Sequence, residues 1–462
     1  MTDGLTICEK QISQVNAATE ILRLEAEFFN AAVLHNVKTV KGADIVDLIQ
    51  YGTSEELNDD KSGYPILRLN EFDFVFIKEP TRYCDKITEQ EYRELQLKQD
   101  DVLICRTNGN PDLVGRSAVI MENESYAFAS YLFRVRTNHL ILPHVLVAYL
   151  RGKYGRAEID KYSMKGNQTN FSPAKFREID TPIFEQSFQE AIKTTFTNAY
   201  KLHISAKEIY AQAESILNTY LNIKDYDNNS CAIKALSDSF MQSGRLDAEY
   251  YQHKYDYIKE IINCYPSKSL KELAVVNTGE FVEEKFYCDN GIDYIRGSDI
   301  TDSVVDNSTA VKVNIDINDF KKISYGDLAF AMIGSVGNIS IYKSNTVGLV
   351  SNNLGTISPF DKNLSNYILL FLTSNIGQMF FEKFQTRTAQ PKIRKEDVEN
   401  FSIPLLDNEI VKNLSDKLDE SFRLRKEAKR LLDNAIKAVE MAIETDEETA
   451  ISWLESTNGE SL

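Results

Sequence analysis

The sequence predicts an α/β (α+β) chain made by tandem duplication. A mixed α/β domain is followed by a long helix, both parts then recur, and the two helices pair along a coiled-coil seam. Three observations carry this. "RLEAEFF" at Arg23–Phe29 returns as "RLDAEYY" at Arg245–Tyr251, which sets an offset of 222 in the numbering (245 − 23). The same offset recurs where each domain ends: Gln168 in "GNQTNFSPAKFREIDTPIF" maps to Gln390 in "TAQPKIRKEDVENFSIPLL", and Pro182 maps to Pro404. A heptad seam then follows each domain in the same register.

The elements follow in order. Residues 1–35 are a lead-in segment and 36–187 the first domain. Inside it, "QDDVLICRTNGNPDLVGRSAVI" reads strand, polar loop, strand. Its counterpart is "YGDLAFAMIGSVGNISIY": Gly115 and Gly337 keep the offset of 222, while Asp101 and Asp327 differ by 226. "YPILRLNEF" and "IDYIRGSDI" are a fainter match, through Arg68 and Arg296. The first long helix is expected over 188–222. Its seam includes Phe188, Ile192, Ala199, Leu202, Ala206, Ile209 and Ala213, at gaps of four and three. A linker at 223–244 leads into the second domain, 245–408. The second long helix, 409–444, repeats the seam with Leu424, Ala428, Leu431 and Ala435, interrupted at Lys417 and Ser421. A stripe of this kind alone is a surface helix on its own domain; two stripes in register favour pairing. Residues 445–462 complete an acidic stretch, Glu440–Leu462, with seven acids and no Lys or Arg, expected to be a solvated, frayed tail. The copies diverge most at 53–92 and 280–322, so two related sites with different specificities are expected.

Composition narrows the function. The 462 residues carry a net charge of −17, which by itself opposes a nucleic-acid partner. The charge is uneven, however, and Arg151–Arg177 holds seven Lys or Arg against two acids. No apolar run is long enough to span a bilayer, and the start of the chain lacks the apolar core of a secretory signal. Six scattered cysteines without a CxxC pair favour a reduced, cytoplasmic setting and give no zinc spacing. The phosphate loop, HExxH, GxSxG and base-methylating Asn-Pro-Pro-aromatic motifs are absent. Pro111-Asp112 and Glu283-Glu284-Lys285 lack the partners of a metal-dependent nuclease site. No catalytic or metal residues are therefore assigned.

What is left is a set of polar loops. Arg, Asn and Gln form paired hydrogen bonds with base edges, and Lys and Arg contact phosphate. In the first half, Arg106, Asn108, Asn110 and Arg116 crowd one loop, and Lys165, Asn167, Gln168 and Asn170 crowd another. In the second half the candidates are Arg296, Asn352, Asn353, Arg387, Gln390, Lys392 and Arg394, with Ser335 and Asn338 nearby. Each residue taken singly is also an ordinary turn former; their recurrence as groups favours binding.

Through "RLDAEYYQHKY", "GDLAFAMIGSVGNISIY", the Gln-containing loop leading to "FSIPLL" and the two helices, the chain resembles the specificity (S) subunits of type I restriction–modification systems. The likeness spans nearly all the chain and is clearest over 245–443. It implies two target recognition domains, each reading one part of a split double-stranded DNA site. It also implies that the two helices pair as an antiparallel coiled coil, act as a spacer and dock two methyltransferase subunits, with restriction subunits joining. S-adenosylmethionine, ATP and Mg would then sit on those partners. "RTNGNPDLVG" in the first half departs from the glycine-rich loop of the second. A helix over Phe188–Leu221 is about 50 Å long at roughly 1.5 Å per residue, and half-sites one DNA turn apart lie about 34–36 Å apart. The alternatives are a scaffold in a defence complex that does not read DNA, and a cryptic metal-dependent nuclease.

Overall fold

The computed structural model describes residues 37–163, 168–223, 232–300, 302–386 and 389–459, with 9, 11–13 and 15. Arg23–Phe29, the first copy of the echo, lies outside the described residues, as does most of the lead-in segment. The chain divides into two units: residues 1–204 with 425–462, and residues 205–424.

Unit 1 is organised around a four-stranded antiparallel sheet. Its strands are β1 (Val46–Tyr51), β3 (Val102–Cys105), β5 (Ser117–Val119) and β7 (Leu132–Thr137), in spatial order β1–β7–β3–β5. A smaller sheet pairs β2 (Tyr64–Leu67) with β6 (Ala127–Phe128), parallel, and with Arg82–Cys84. The unbroken apolar run of β3 follows from burial on both faces. Val102 and Ile104 enter one core cluster while Leu103 and Cys105 enter another, as alternation along a strand requires. Two helices, α1 (Pro143–Arg151) and α2 (Lys153–Tyr162), cover the first of these faces. α1 opens with proline at its first turn, where a missing N–H costs nothing, and stops at Gly152.

Unit 2 repeats the plan. β9 (Ala274–Thr278), β11 (Leu328–Ala331), β12 (Ile339–Ile341) and β14 (Leu354–Pro359) form a sheet in the equivalent order β9–β14–β11–β12. β10 (Ile292–Ile295) and β13 (Gly348–Val350) form the parallel pair. Again alternate residues of one strand divide between cores, Leu328 and Phe330 against Ala329 and Ala331. The helical pair is α5 (Ser365–Thr373) and α6 (Asn375–Phe384). The smaller sheet has five strands here against three in unit 1, so the divergent segments build the part of the scaffold that differs.

A close approach is shared by both units. A Cβ on Gly155 would lie 2.1 Å from the carbonyl oxygen of Tyr149, and one on Gly377 would lie 2.1 Å from that of Phe371. Both the glycines and the carbonyls keep the repeat offset. In each unit the second helix begins against the end of the first, at a distance only glycine permits.

After the short helices α3 (Pro173–Glu178) and α7 (Lys395–Glu399) come the long ones, α4 (Gln186–Tyr220) and α8 (Asn408–Glu444), starting up to two residues before the expected bounds. In unit 1, Phe188, Ile192, Phe196 and Ala199 share one core with Ala428, Leu431, Ala435 and Ala438. In unit 2, Ser421 Oγ donates to the Ala206 carbonyl at 2.7 Å and Lys417 Nζ to Gln212 Oε1 at 2.9 Å. Those contacts make the two helix segments of unit 2 antiparallel. They also explain both breaks in the seam, since Lys417 and Ser421 tie the helices by polar bonds. Ala206 and Ala213 are buried; Leu202 and Ile209 are only partly so, and Leu424 is buried. The buried stripe is wider than an a/d seam, for it takes in Phe196, Leu217, Leu432 and Val439. Each helix packs on its own domain as well as on the other helix, which needs a broad apolar face.

The frayed tail is a correction. Residues Glu447–Gly459 form a helix, α9, with Ala450 and Leu454 buried in the unit 1 core. Arg430 Nη1 donates to the Thr457 carbonyl at 2.9 Å, Asn434 Nδ2 to Asn458 Oδ1 at 3.0 Å, and Lys437 Nζ lies 5.0 Å from the Trp453 ring centroid. Glu448 and Glu455 are exposed, while Glu447 accepts from the Glu185 amide at 2.9 Å, and Ala450, Ile451, Trp453 and Leu454 make an apolar stripe. Ala450→Gly removes a buried methyl and loosens the helix backbone. It is expected to cost unit 1 about 1–2 kcal/mol, measured as a lower urea midpoint at unchanged slope.

Candidate nucleic-acid interface

In each unit a short ladder joins the two polar loops. In unit 1, β4 (Thr107–Asn108) pairs antiparallel with β8 (Thr169–Asn170), Thr169 opposite Asn108 and Asn170 opposite Thr107. Thr107 Oγ1 donates to the Thr169 carbonyl at 3.1 Å, and the Phe171 amide to the Arg106 carbonyl at 2.8 Å. In unit 2, Ile333 bridges Lys392, the Gly334 amide donates to the Pro391 carbonyl, and the Ile393 amide to the Met332 carbonyl. Segments remote from each other in sequence thus meet twice in the same way.

The first loop is held differently in the two units. In unit 1, Asn108 Oδ1 accepts from the Asn110 amide at 2.8 Å and Asn110 Oδ1 from the Asp112 amide at 3.0 Å. Both side-chain oxygens are therefore committed to the turn, as the turn-forming role requires. Arg156 clamps the loop from α2, donating to the Val114 carbonyl at 2.5 Å and the Pro111 carbonyl at 3.4 Å. In unit 2 the turn relies on Gly334 and Gly337, at φ +83° and +97°, where side chains are strained. Gln378, which the repeat offset places opposite Arg156, donates to the Gly337 carbonyl at 2.9 Å. A clamp from the same helix position thus serves both loops, with different chemistry.

The candidate residues fall into distinct environments. Arg106 is half-buried, its guanidinium 5.2 Å from the Tyr51 ring centroid. Gln168 is exposed and Asn170 half-buried beside it on the ladder. Arg116 neighbours Arg151; desolvation and then the Arg116 charge push the Arg151 guanidinium down to about 9. In unit 2, Ser335, Asn338, Asn352, Asn353, Gln390 and Lys392 lie in the loops around the ladder, and all six are exposed. The Asn353 carbonyl accepts from the Met332 and Ile333 amides at 2.9 and 3.2 Å, which brings Asn352 and Asn353 to the ladder. Arg296 follows β10, its amide donating to Asp299 Oδ2 at 2.7 Å. Arg394 is 77% exposed but forms a two-bond pair with Asp397, Nε–Oδ2 2.9 Å and Nη2–Oδ1 2.8 Å. That pair fixes the N-terminal turn of Lys395–Glu399, so two of its donors are engaged within the fold. Lys165, Asn167 and Arg387 lie outside the described residues.

Two residues that the sequence reading missed stand at this surface in unit 1. Tyr51 is 45% exposed and Tyr131 58% exposed, and the Tyr131 carbonyl accepts from the Arg106 amide at 2.8 Å. The available signal was an aromatic at a strand end next to glycine, in "QYGT". The buried Cys105 thiol is pushed up to about 11 by desolvation, opposing a nucleophilic role. Among the described residues no cluster of His, Cys, Asp and Glu could hold a metal, and no helix is long and apolar enough to cross a membrane.

Residues 265–433 match the family model described as the type I restriction modification DNA specificity domain. None of the curated proteins matches the chain. Among solved structures the chain is similar to the S subunit of a type I restriction–modification system from M. genitalium, at 11% identity. That alignment covers 91% of this chain and 96% of that one, with a TM-score of 0.34. It is also similar to the HsdS subunit from Thermoanaerobacter tengcongensis, at 13% identity over 90% and 96% of the two chains, with a TM-score of 0.28.

Proposed function

We propose that this chain, whose residues 265–433 match the type I restriction modification DNA specificity domain, is the DNA sequence-specificity subunit of such a complex. Each unit reads one part of a bipartite double-stranded site. The carrying observation is the repeated ladder that gathers two polar loops at one surface in each unit. Exposed Asn, Gln, Lys and Arg are the side chains that base edges and phosphates engage. The role is recognition without catalysis. Two methyltransferase subunits dock on the long helices and restriction subunits join them, in the cytoplasm. S-adenosylmethionine, ATP and Mg belong to those partners. Basic surface on a methyltransferase would offset this chain's −17 charge at the DNA.

Exchanging residues 36–187 for the corresponding domain of another specificity subunit tests this. Methylation mapping of the assembled complex is expected to show one half-site replaced and the other intact. A change in both half-sites would contradict divided recognition. A complex in which this chain contributes no sequence preference would favour the scaffold reading, which the acidic charge supports.

A further inference from the structure

The two units share a scaffold, yet they restrain their arginines differently. In unit 1, Arg68 follows β2. Its amide donates to Glu71 Oε2 at 2.8 Å, and its Nη2 to Glu71 Oε1 at 2.9 Å and Thr81 Oγ1 at 3.0 Å. In unit 2, Arg296 follows β10 at the equivalent place. The Ile295 carbonyl before it accepts from the Ser351 amide, as the Leu67 carbonyl accepts from the Ala129 amide. Here the acid three residues on is Asp299, one methylene shorter. Its Oδ2 still accepts from the arginine amide, but its Oδ1 is taken by Ser298 and Thr309 hydroxyls at 3.0 Å each. Among the described residues the Arg296 guanidinium has no hydrogen bond or ion pair, and its Nε is buried without a partner.

The opposite holds at the first loop. Arg106 of unit 1 has no hydrogen bond or ion pair to its guanidinium among the described residues. Its Nε is likewise shut away, and the Tyr51 ring supports the plane. In unit 2 the equivalent position is Met332, whose amide donates to the Asn353 carbonyl as the Arg106 amide donates to that of Tyr131. Met332 is buried and offers no donor. Each unit therefore has one of these two scaffold positions filled by an unclamped arginine, and the position differs.

We propose that Arg106 in unit 1 and Arg296 in unit 2 each read the O6/N7 edge of a guanine, so that the two half-sites are distinguished by which scaffold position carries the free fork. This rests on the DNA-specificity reading above. A guanidinium whose two Nη donors are not engaged within the fold can offer them together as a planar fork, the geometry that guanine accepts and lysine cannot reproduce. Glu71 and Asp299 are positioning residues, acting through the arginine they hold or release.

The test uses the full chain assembled with its methyltransferase, mapping methylated sites for wild type, R106K, R296K and D299E. R106K is expected to relax one guanine position in the half-site read by unit 1, by roughly tenfold or more, and to leave the other half-site unchanged. R296K should do the same in the half-site read by unit 2. D299E restores the longer carboxylate, and should weaken the same position as R296K although Arg296 is still present. Unchanged preference in both lysine variants would overturn the proposal. So would an equal loss at all sequences with a shallower salt dependence, which marks phosphate contacts. A wild-type complex without any motif would overturn the specificity reading itself, and the proposal with it.

Discussion

Arg134→Met is expected to lower the stability of unit 1 by about 2–4 kcal/mol, the cost of removing the shared donor of a hydrogen-bond network. Arg134 is 1% exposed in the centre of β7, and Asp101 is fully buried. The Arg134 Nη1 donates to Asp101 Oδ2 at 3.2 Å and to the Gln96 carbonyl at 2.8 Å. Its Nη2 donates to the Glu94 carbonyl at 2.8 Å and also to Gln50 Oε1. Methionine fills much of the volume but takes the donor from these half-buried acceptors. Arg136, with Nε 2.6 Å from Asp101 Oδ1, keeps that carboxylate paired. The loss is therefore carried mainly by the two carbonyls and Gln50. Unit 2 is an internal control. The repeat offset puts Thr356 opposite Arg134, and Asp327, the counterpart of Asp101, is held by the Ser324 amide and Lys362. Urea unfolding with hydrogen exchange on residues 94–105 measures the effect. A loss below about 1 kcal/mol would mean that Arg136 alone sustains the network.

Gly155→Ala and Gly377→Ala are expected to cost about 3 kcal/mol or more each, at the upper end of overpacking. The added carbon meets backbone, the Tyr149 or Phe371 carbonyl at 2.1 Å, so no rotamer change relieves it. The first helix must shift from the second, and α1 and α5 are buried almost throughout. Faster hydrogen exchange is expected over 143–162 for the first variant and over 365–384 for the second. Stability losses under about 1 kcal/mol in both would show that the helix pair adjusts freely.

The duplication was legible because the offset of 222 is recovered on both sides of the local departure at Asp101 and Asp327. Gln168 with Gln390, Gly115 with Gly337 and the helical stripes all report it. The ladder between the loops was not legible. Two residues such as Thr107 and Asn108 are too few to show a period, and their partners, Thr169 and Asn170, lie far along the chain. The roles of Asn108 and Asn110 were left open by residue type alone; only the Asn110 and Asp112 amides on their side chains commit them to the turn. For Arg394, the carboxylate three residues on was visible in "RKED", and a helix start there makes the pairing geometrically natural. The tail was misread because acids were counted without asking on which helical face they fall. Gly155 and Gly377 stood at the tell-tale spacing, but a glycine signals a close approach only once its neighbour is known.

The division of the chain has a consequence for biosynthesis. Unit 1 needs Ala428, Leu431, Ala435 and Leu454 to complete the core begun by Ile45, Phe133 and Phe188, whereas unit 2 is continuous from 205 to 424. At a ribosome adding about 5–20 residues per second, the domain translated first waits on the order of 10–50 s for its last helix. During that interval the side of α4 that Ala428, Leu431 and Ala435 complete lacks its later cover, although Phe188 and Phe196 already meet Phe184 and His144 of their own domain. A stop codon shortly after residue 424 would accordingly spare the core of the domain translated second and ruin the one translated first.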